Sequence, residues 1–540
     1  MNKIKYILLC NCWLIIGCLL SLLLILVWFA SIGEDQIYVL FSSDALYLPS
    51  IYKDIFVDGN SVQGWTFNPA PNFIPDMFLF FLLMGMVSNF LTATFLFSII
   101  QYFAIIAFFY FIFRKISDIS TAVFSLSIYL FSFFLLYFLI DHDFYYSFLI
   151  MSNSYHNGMF VMTLICVLLS IHFLKKESWV TLFFILILSA IAYPCDKLFF
   201  VAYNCPLIFS LLVLLIAGYD KRKILKLGIT CILGAILGMI ILDKLKYNSI
   251  FDLTGHHQYI NLEAMIASWK MFSSQMKIYL SLKSFTNLTV ILSIITYIWT
   301  ICYCILDFIK IKRSKKEISL LFVFQIFVLF FTPILLLAPI INGNYLGYDV
   351  IRYNYFVFIV LLFNLILLIN NHIKKRKYLV VGLNCFFSAM LTAYLLWSIY
   401  NMDFGHQLNN YFSFYPEQAR NFDSQFPTKN TVQYGITDDY WYAKHVTMFS
   451  KNNMRLYCTF SDATPYLHVS NKKWYYGGGN WKYSNPQFTF LVWSSDEKLP
   501  DFFIEQNTPY ISYAIDKDRI LYFVSPFSFN IETKQPELSN

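Results

Sequence analysis

Charged residues are scarce in this sequence: Asp, Glu, Lys and Arg make up 13% of 540 residues, where a soluble domain carries about a quarter. That scarcity, beside 58% hydrophobic residues, excludes a chain built of ordinary soluble domains. Also lacking are an internal repeat, a low-complexity linker and a disulfide framework. Of the eleven cysteines, Cys10, Cys12, Cys18, Cys166, Cys231, Cys302, Cys304 and Cys385 fall in apolar segments, where cysteine behaves as a small hydrophobe. In the polar C-terminal part there is only Cys458. No Lys-Ser/Thr follows Gly477-Gly478-Gly479, so that run reads as a loop rather than a phosphate cradle. The net charge of +7 is no nucleic-acid signal, because the basic residues sit in short clusters between apolar runs. Adjacent His256-His257 point different ways and lack partners at zinc-ligand spacing.

What the sequence has is long apolar runs. A helix needs about 20 apolar residues to cross about 30 Å of hydrocarbon. Such runs occur at 6–30, 92–113, 119–140, 155–174, 179–194, 198–218, 225–242, 286–308, 318–341, 354–371 and 378–400, which predicts about eleven transmembrane helices. The first run is too long for a signal-peptide core and lacks a cleavage site, so it is expected to be an anchor. Alternate loops carry 19 Lys and Arg: Lys3, Lys5, Arg114-Lys115, Lys175-Lys176, 221–226, 310–316 and 374–377. The other membrane loops carry eight: Lys53, Lys197, Lys244, Lys246, Lys270, Lys277, Lys283 and Arg352. By the positive-inside rule the N-terminus is cytoplasmic and the C-terminal part lies outside.

The expected organisation is a membrane domain over 1–400, with long outer loops at 33–91 and 243–285, and a small α/β domain over 401–540. In the first loop the apolar stretch 73–86 is too short to cross and is expected to lie as an interfacial helix. In the last domain, 439–449 reads as a helix capped by Thr437 or Asp438, and 455–460, 488–493, 511–515 and 520–524 read as strands.

The ionisable residues of interest fall in the outer loops. Asp44 follows the first span closely and suits a general base at the interface, or a solvated loop position. Asp141 and Asp143 flank His142 at the end of the third span; two acids so spaced suit a divalent cation, Mg²⁺ or Mn²⁺, or a helix end that simply faces water. Lys197 lies in a tight turn. Arg352, followed by Tyr353, opens a late span on the side poor in basic residues, suiting phosphate recognition or a salt bridge to Asp349.

This arrangement resembles the GT-C glycosyltransferases, integral membrane enzymes that use polyprenyl-phosphate-linked sugars. The likeness is carried by Asp44, Asn68-Pro69-Ala70-Pro71, the stretch from Pro75-Asp76 to Gly85, the acids Asp141 and Asp143, and Arg352-Tyr353. It covers the layout of residues 1 to about 400. The chain departs from protein mannosyltransferases, which have Asp-Glu where Asp44 stands alone, and lacks the Trp-Trp-Asp-type motif of oligosaccharyltransferases. The resemblance implies transfer of a sugar from a polyprenyl-phosphate carrier to a glycan, lipid or protein acceptor outside a bacterial cytoplasmic membrane. It also implies Asp44 as base, Asp141 and Asp143 as a metal or acceptor site, and Lys197, Arg352 and Tyr353 on the lipid phosphate. The rival readings are a transporter or lipid flippase, disfavoured by the missing repeat, and a non-catalytic scaffold.

The orientation is directly testable. With Cys458 replaced, single cysteines in the C-terminal domain should react with impermeant thiol reagents in intact spheroplasts, and ones near Lys315 should not; reversed labelling would invert the assignment.

Overall fold

The structure, a computed structural model, describes the chain apart from residues 1–2, 119–125, 128–129, 131–145, 154, 248–250, 255–260, 282–284, 315–316, 374–376, 427–431, 478–485 and 540. Among the described residues nine helices are long and apolar enough to span a membrane. They are Cys12–Ser31, Phe90–Ile116, Asn157–Lys175, Phe200–Ala217, Lys221–Tyr247, Asn287–Arg313, Leu320–Ile341, Tyr355–His372 and Val381–Asn401. The protein is therefore a multi-span membrane protein. Two of the eleven expected spans are not among them: 119–140 falls largely outside the described residues, and 179–194 forms a helix, Trp179–Cys195, of only 17 residues. The stretch 73–86 forms a turn, Phe73–Met77, running into the short helix Phe78–Val87.

Burial separates central from peripheral helices. Tyr355–His372 is 83% buried over its most apolar stretch and Asn157–Lys175 78%, against 22% for Val381–Asn401. The outlying helices expose Ile and Leu, as surfaces solvated by lipid tails do. Inside the bundle, Asn364 donates to Thr300 (2.8 Å) and to Gln325 Oε1 (2.9 Å), tying three spans together. Such a network persists in a low-dielectric interior because each polar group finds a partner there.

The bundle has two distinct ends. At one, Lys115 meets His172 at 2.9 Å and Lys223 donates to the Leu174 carbonyl, so basic loops far apart in sequence converge. At the other end lie the long loops and the C-terminal domain. A three-stranded sheet stitches them: β1 (Trp65–Phe67) pairs in parallel with β2 (Asp252–Leu253) and antiparallel with β5 (Ser470–Asn471).

The C-terminal domain holds the second sheet, made of β3 (Gln433–Thr437), β4 (Met454–Cys458), β6 (Phe488–Ser494), β7 (Ile511–Ala514), β8 (Arg519–Phe529) and β9 (Pro536–Leu538). Its order is β4-β3-β6-β8-β7, with β9 on β8 and the first three strands parallel. The helix Tyr440–Phe449 joins β3 to β4. Its N-cap is Asp439, one or two residues later than expected, because Asp439 accepts from both Trp441 N and Tyr442 N. The inner strand β3, between β4 and β6, was not expected; its Gln-Tyr-Gly-Ile-Thr is short and holds only two large apolar residues. Gly435 is needed there, since a Cβ would fall 2.0 Å from the Phe490 ring.

A charged seam locks this domain onto the first long loop. Arg455 grips Asp58 with two donors (2.7 and 3.1 Å), and Lys53 meets the same carboxylate at 2.9 Å. Asp54 accepts from Trp65 (2.7 Å), Trp474 (2.6 Å), Asn60 (2.5 Å) and Asn471 (3.0 Å). Lys444, buried beside them, donates to the Val469 carbonyl at 2.7 Å and lies 4.9 Å over the Trp474 ring.

Burial holds the Lys444 ammonium down at about 7 against the pull of Asp54. Lys53, depressed first by burial and then by Arg455, sits at about 8. In the unfolded chain both keep their protons up to the ordinary 10.5, so the unfolded state binds more protons between those limits and stability rises with pH there. The melting temperature, followed by tryptophan fluorescence, should therefore climb from about pH 7 to about pH 9.5, and Lys444→Met should flatten part of that climb. An identical slope in the variant would remove Lys444 as a cause.

Candidate active site

Asp44 lies in the turn between the short helices Glu34–Leu40 and Tyr47–Tyr52. The turn is closed by Leu46 N donating to the Ser42 carbonyl (2.8 Å) and Ala45 N to Ser42 Oγ (3.4 Å). Leu46 and Tyr47 plug the core, which leaves the Asp44 carboxylate at the rim with its side chain 34% exposed. Arg352 comes from the turn Tyr348–Tyr353, more than 300 residues away. Its Nη1 donates to Asp44 Oδ2 at 2.8 Å, while Nη2 lies 3.9 Å from Asp349. Asp44 Oδ1 makes no hydrogen bond among the described residues. The guanidinium is flanked by the rings of Tyr353 (5.5 Å) and Tyr155 (5.8 Å), and Tyr155 Oη meets Ser42 Oγ at 2.8 Å.

From the other side the C-terminal domain contributes Tyr440 and His468, whose rings lie 5.4 Å apart and which both feel the Asp44 charge. Burial holds the His468 imidazole below its ordinary value, with Asp44 pulling the opposite way. Tyr440 Oη is buried and has no hydrogen-bond partner among the described residues. It borders a cavity of about 30 Å³, also lined by Ser50, Lys444, His468 and Trp474, with room for a water to satisfy it.

A second group of titratable residues lies behind Tyr353. His156 packs its ring 4.8 Å from that of Tyr353 and donates through Nδ1 to Asp196 Oδ2 at 2.5 Å. Asp196 is 3% exposed and also accepts from Leu198 N. Close by, in the turn Phe73–Met77 and outside the nine spans, is Asp76. Burial, with Asp196 alongside, pushes its carboxyl well above the usual carboxylate range.

The structure thus brings Asp44, Arg352 and Tyr353 together. No contact joins Lys197 to them among the described residues: that side chain is exposed, and the charges acting on it are those of Lys246 and Asp243, at the end of the Lys221–Tyr247 helix. Asp141 and Asp143 lie outside the described residues, as do His256 and His257. Among the described residues no three His, Cys, Asp or Glu side chains converge as a metal would require. Sequence reasoning reads His156 as a polar loop residue and gives no role to Tyr155, Asp196, Tyr440 or His468. No local pattern marks them, because each matters through a neighbour distant in the chain.

No protein-family model matches the sequence, and no curated protein does. Among solved structures, ArnT from Cupriavidus metallidurans bound to undecaprenyl phosphate is 13% identical, with a TM-score of 0.45 over 96% of this chain and 98% of that one. Its apo form gives 12% and 0.44 over 95% and 98%. The Archaeoglobus fulgidus oligosaccharyltransferase tethered to an acceptor peptide gives 12% and 0.40, over 91% of this chain and 69% of its own. These are likenesses of layout.

The packing around Asp76 gives a clear expectation. Its carboxyl rests on the backbone of Gly158, where a Cβ would come within 2.2 Å of Oδ2. Gly158→Ala should therefore cost about 1–3 kcal/mol, read as a lower melting temperature. An unchanged melting temperature would mean that the turn holding Asp76 yields freely.

Proposed function

We propose that this protein is a membrane glycosyltransferase of the GT-C kind, moving a sugar from a polyprenyl-phosphate carrier to an acceptor at the outer face of a bacterial cytoplasmic membrane. The observation that carries this reading is the Asp44–Arg352 pair, a half-open carboxylate held 2.8 Å from a guanidinium at the end of the bundle opposite the basic loops. The positive-inside rule assigns the basic end to the cytoplasm, which sets Asp44 at the outer interface, where a lipid carrier presents its head group.

The pair divides the chemistry between its members. Arg352 spends one donor on Asp44 and keeps others for a phosphate, which it can meet with two parallel bonds. Asp44 Oδ1 remains open to accept the proton of an acceptor hydroxyl. As the oxygen of that hydroxyl bonds to the anomeric carbon, the bond from carbon to the phosphate oxygen breaks and its electron pair stays on the phosphate, beside the guanidinium. One displacement inverts the anomeric centre. Tyr440 and His468 border the space where acceptor or sugar would lie, and the partly exposed Asp44 remains reachable from it. Arg352 with Tyr353 is the phosphate site of this reading, and Lys197 stands apart from it. Asp141 and Asp143 remain proposed as an acceptor site or as ligands of a Mg²⁺ or Mn²⁺ ion, and no step above passes through a metal.

The test is Asp44→Asn, which keeps the volume and removes the base. In membranes supplied with an undecaprenyl-phosphate-linked sugar, release of undecaprenyl phosphate should fall by about 10²–10⁴-fold, with the protein still inserted and folded. More than a third of wild-type turnover would reduce Asp44 to a loop residue.

A further inference from the structure

Tyr155 and His156 have φ of 65° and 67°, two consecutive side-chain-bearing residues in the left-handed region. That region favours glycine and tolerates asparagine, and a bulky residue there is an outlier held by its surroundings. The pair also stands where a helix begins. His156 occupies the N-cap of the helix Asn157–Lys175, a position usually extended and filled by Ser, Thr, Asp or Asn, yet its side chain makes no capping bond. The imidazole is committed elsewhere, to Asp196 at 2.5 Å. A helix start has been given up, and the backbone twisted, to aim two side chains.

What they are aimed at is Arg352. The Tyr155 ring faces the guanidinium carbon at 5.8 Å, with its hydroxyl anchored on Ser42, two residues before Asp44. The His156 ring backs the Tyr353 ring at 4.8 Å, and Tyr353 faces the same guanidinium at 5.5 Å. The backing is firm. Asp196 is buried and held by Leu198 N, and Asn157, next along the chain, donates to the Leu149 and Ser152 carbonyls and accepts from Tyr355. A guanidinium on a long side chain has many rotamers; two aromatic faces anchored independently leave it few.

We propose that the left-handed pair Tyr155–His156 is a positioning device, which with Asp196 holds the Arg352 guanidinium between two rings and points its free donors away from Asp44. It depends on the glycosyl-transfer reading only for what those donors are to receive, a lipid-linked phosphate.

Two measurements on the purified full-length protein separate the device from the reading. The first is the rate at which phenylglyoxal modifies Arg352, followed by peptide mass spectrometry in wild type, Tyr155→Phe and His156→Asn. Phenylalanine keeps the ring and loses the Ser42 anchor; asparagine suits the left-handed backbone and loses the imidazole. Release of the guanidinium should speed modification by about 3- to 10-fold in both, while His156→Asn, which takes a donor from the buried Asp196, also lowers the melting temperature. A wild-type rate in the folded variants would overturn the proposal, whether or not the melting temperature falls. The second is titration with undecaprenyl phosphate, whose binding should weaken about 10-fold in both variants, as loss of one well-aimed charged bond would do. Unchanged binding beside faster modification would confine the device to holding Arg352, against the phosphate role given to its donors. Failure of the wild type to bind would sink the glycosyl-transfer reading while leaving the Arg352 rates to decide the device.

Discussion

Asp58 cannot remain ionised inside a protein without a cation beside it, and its two cations come from opposite sides of a structural boundary. Lys53 belongs to the same loop; Arg455 belongs to the C-terminal sheet. Burial alone would drive the Asp58 carboxyl upward, but Lys53 and Arg455 outweigh it and hold it below its ordinary value. Removing Asp58 would leave two buried cations facing each other with no carboxylate between them. The first loop and the C-terminal domain are therefore coupled, and the rest of the Asp44 end depends on that coupling.

The consequence reaches the site through short covalent distances. Asp54, saturated by two tryptophans and two asparagines from both sides of the seam, fixes the helix Tyr47–Tyr52 and the turn after it. That helix follows directly on Asp44. On the other face, the helix carrying Lys444 begins at Tyr440, and the segment leading into β5 carries His468. Docking the domain is what sets Tyr440 and His468 against Asp44. The domain is part of the site's wall.

Across the site the same economy appears with smaller charges. Arg352 answers Asp44, Tyr155 and Tyr353 flank Arg352, and His156 with Asp196 supports Tyr353. The pair Asp44–Arg352 is partly exposed, 34% at Asp44 and 26% at Arg352, so water screens it and its contribution to stability is modest. Its value lies in geometry: an open carboxylate oxygen and unspent guanidinium donors beside one another. An arrangement that spends backbone strain on a weak ion pair is better suited to recognition than to holding a fold together.

Much of the membrane part was legible in the sequence because its physics is one-dimensional. Hydropathy over about 20 residues decides whether a helix can span, and the alternation of Arg114-Lys115, Lys175-Lys176 and 221–226 with poorer loops decides which loops share an end. Asp44 and Arg352 could be named as candidates for a similar reason, each an ionisable residue beside an apolar run. Only the tertiary structure decided that they touch, since 308 residues separate them and no spacing encodes the contact. It alone set Lys197 apart with Lys246 and Asp243, and turned Asp196, its neighbour in sequence, inward to His156. It alone set β3 between β4 and β6, where neighbours on both sides override a weak local pattern. The left-handed turn at Tyr155–His156 is the limiting case: local preference argues against it, and the packed surroundings of Ser42, Asp196 and Tyr353 impose it.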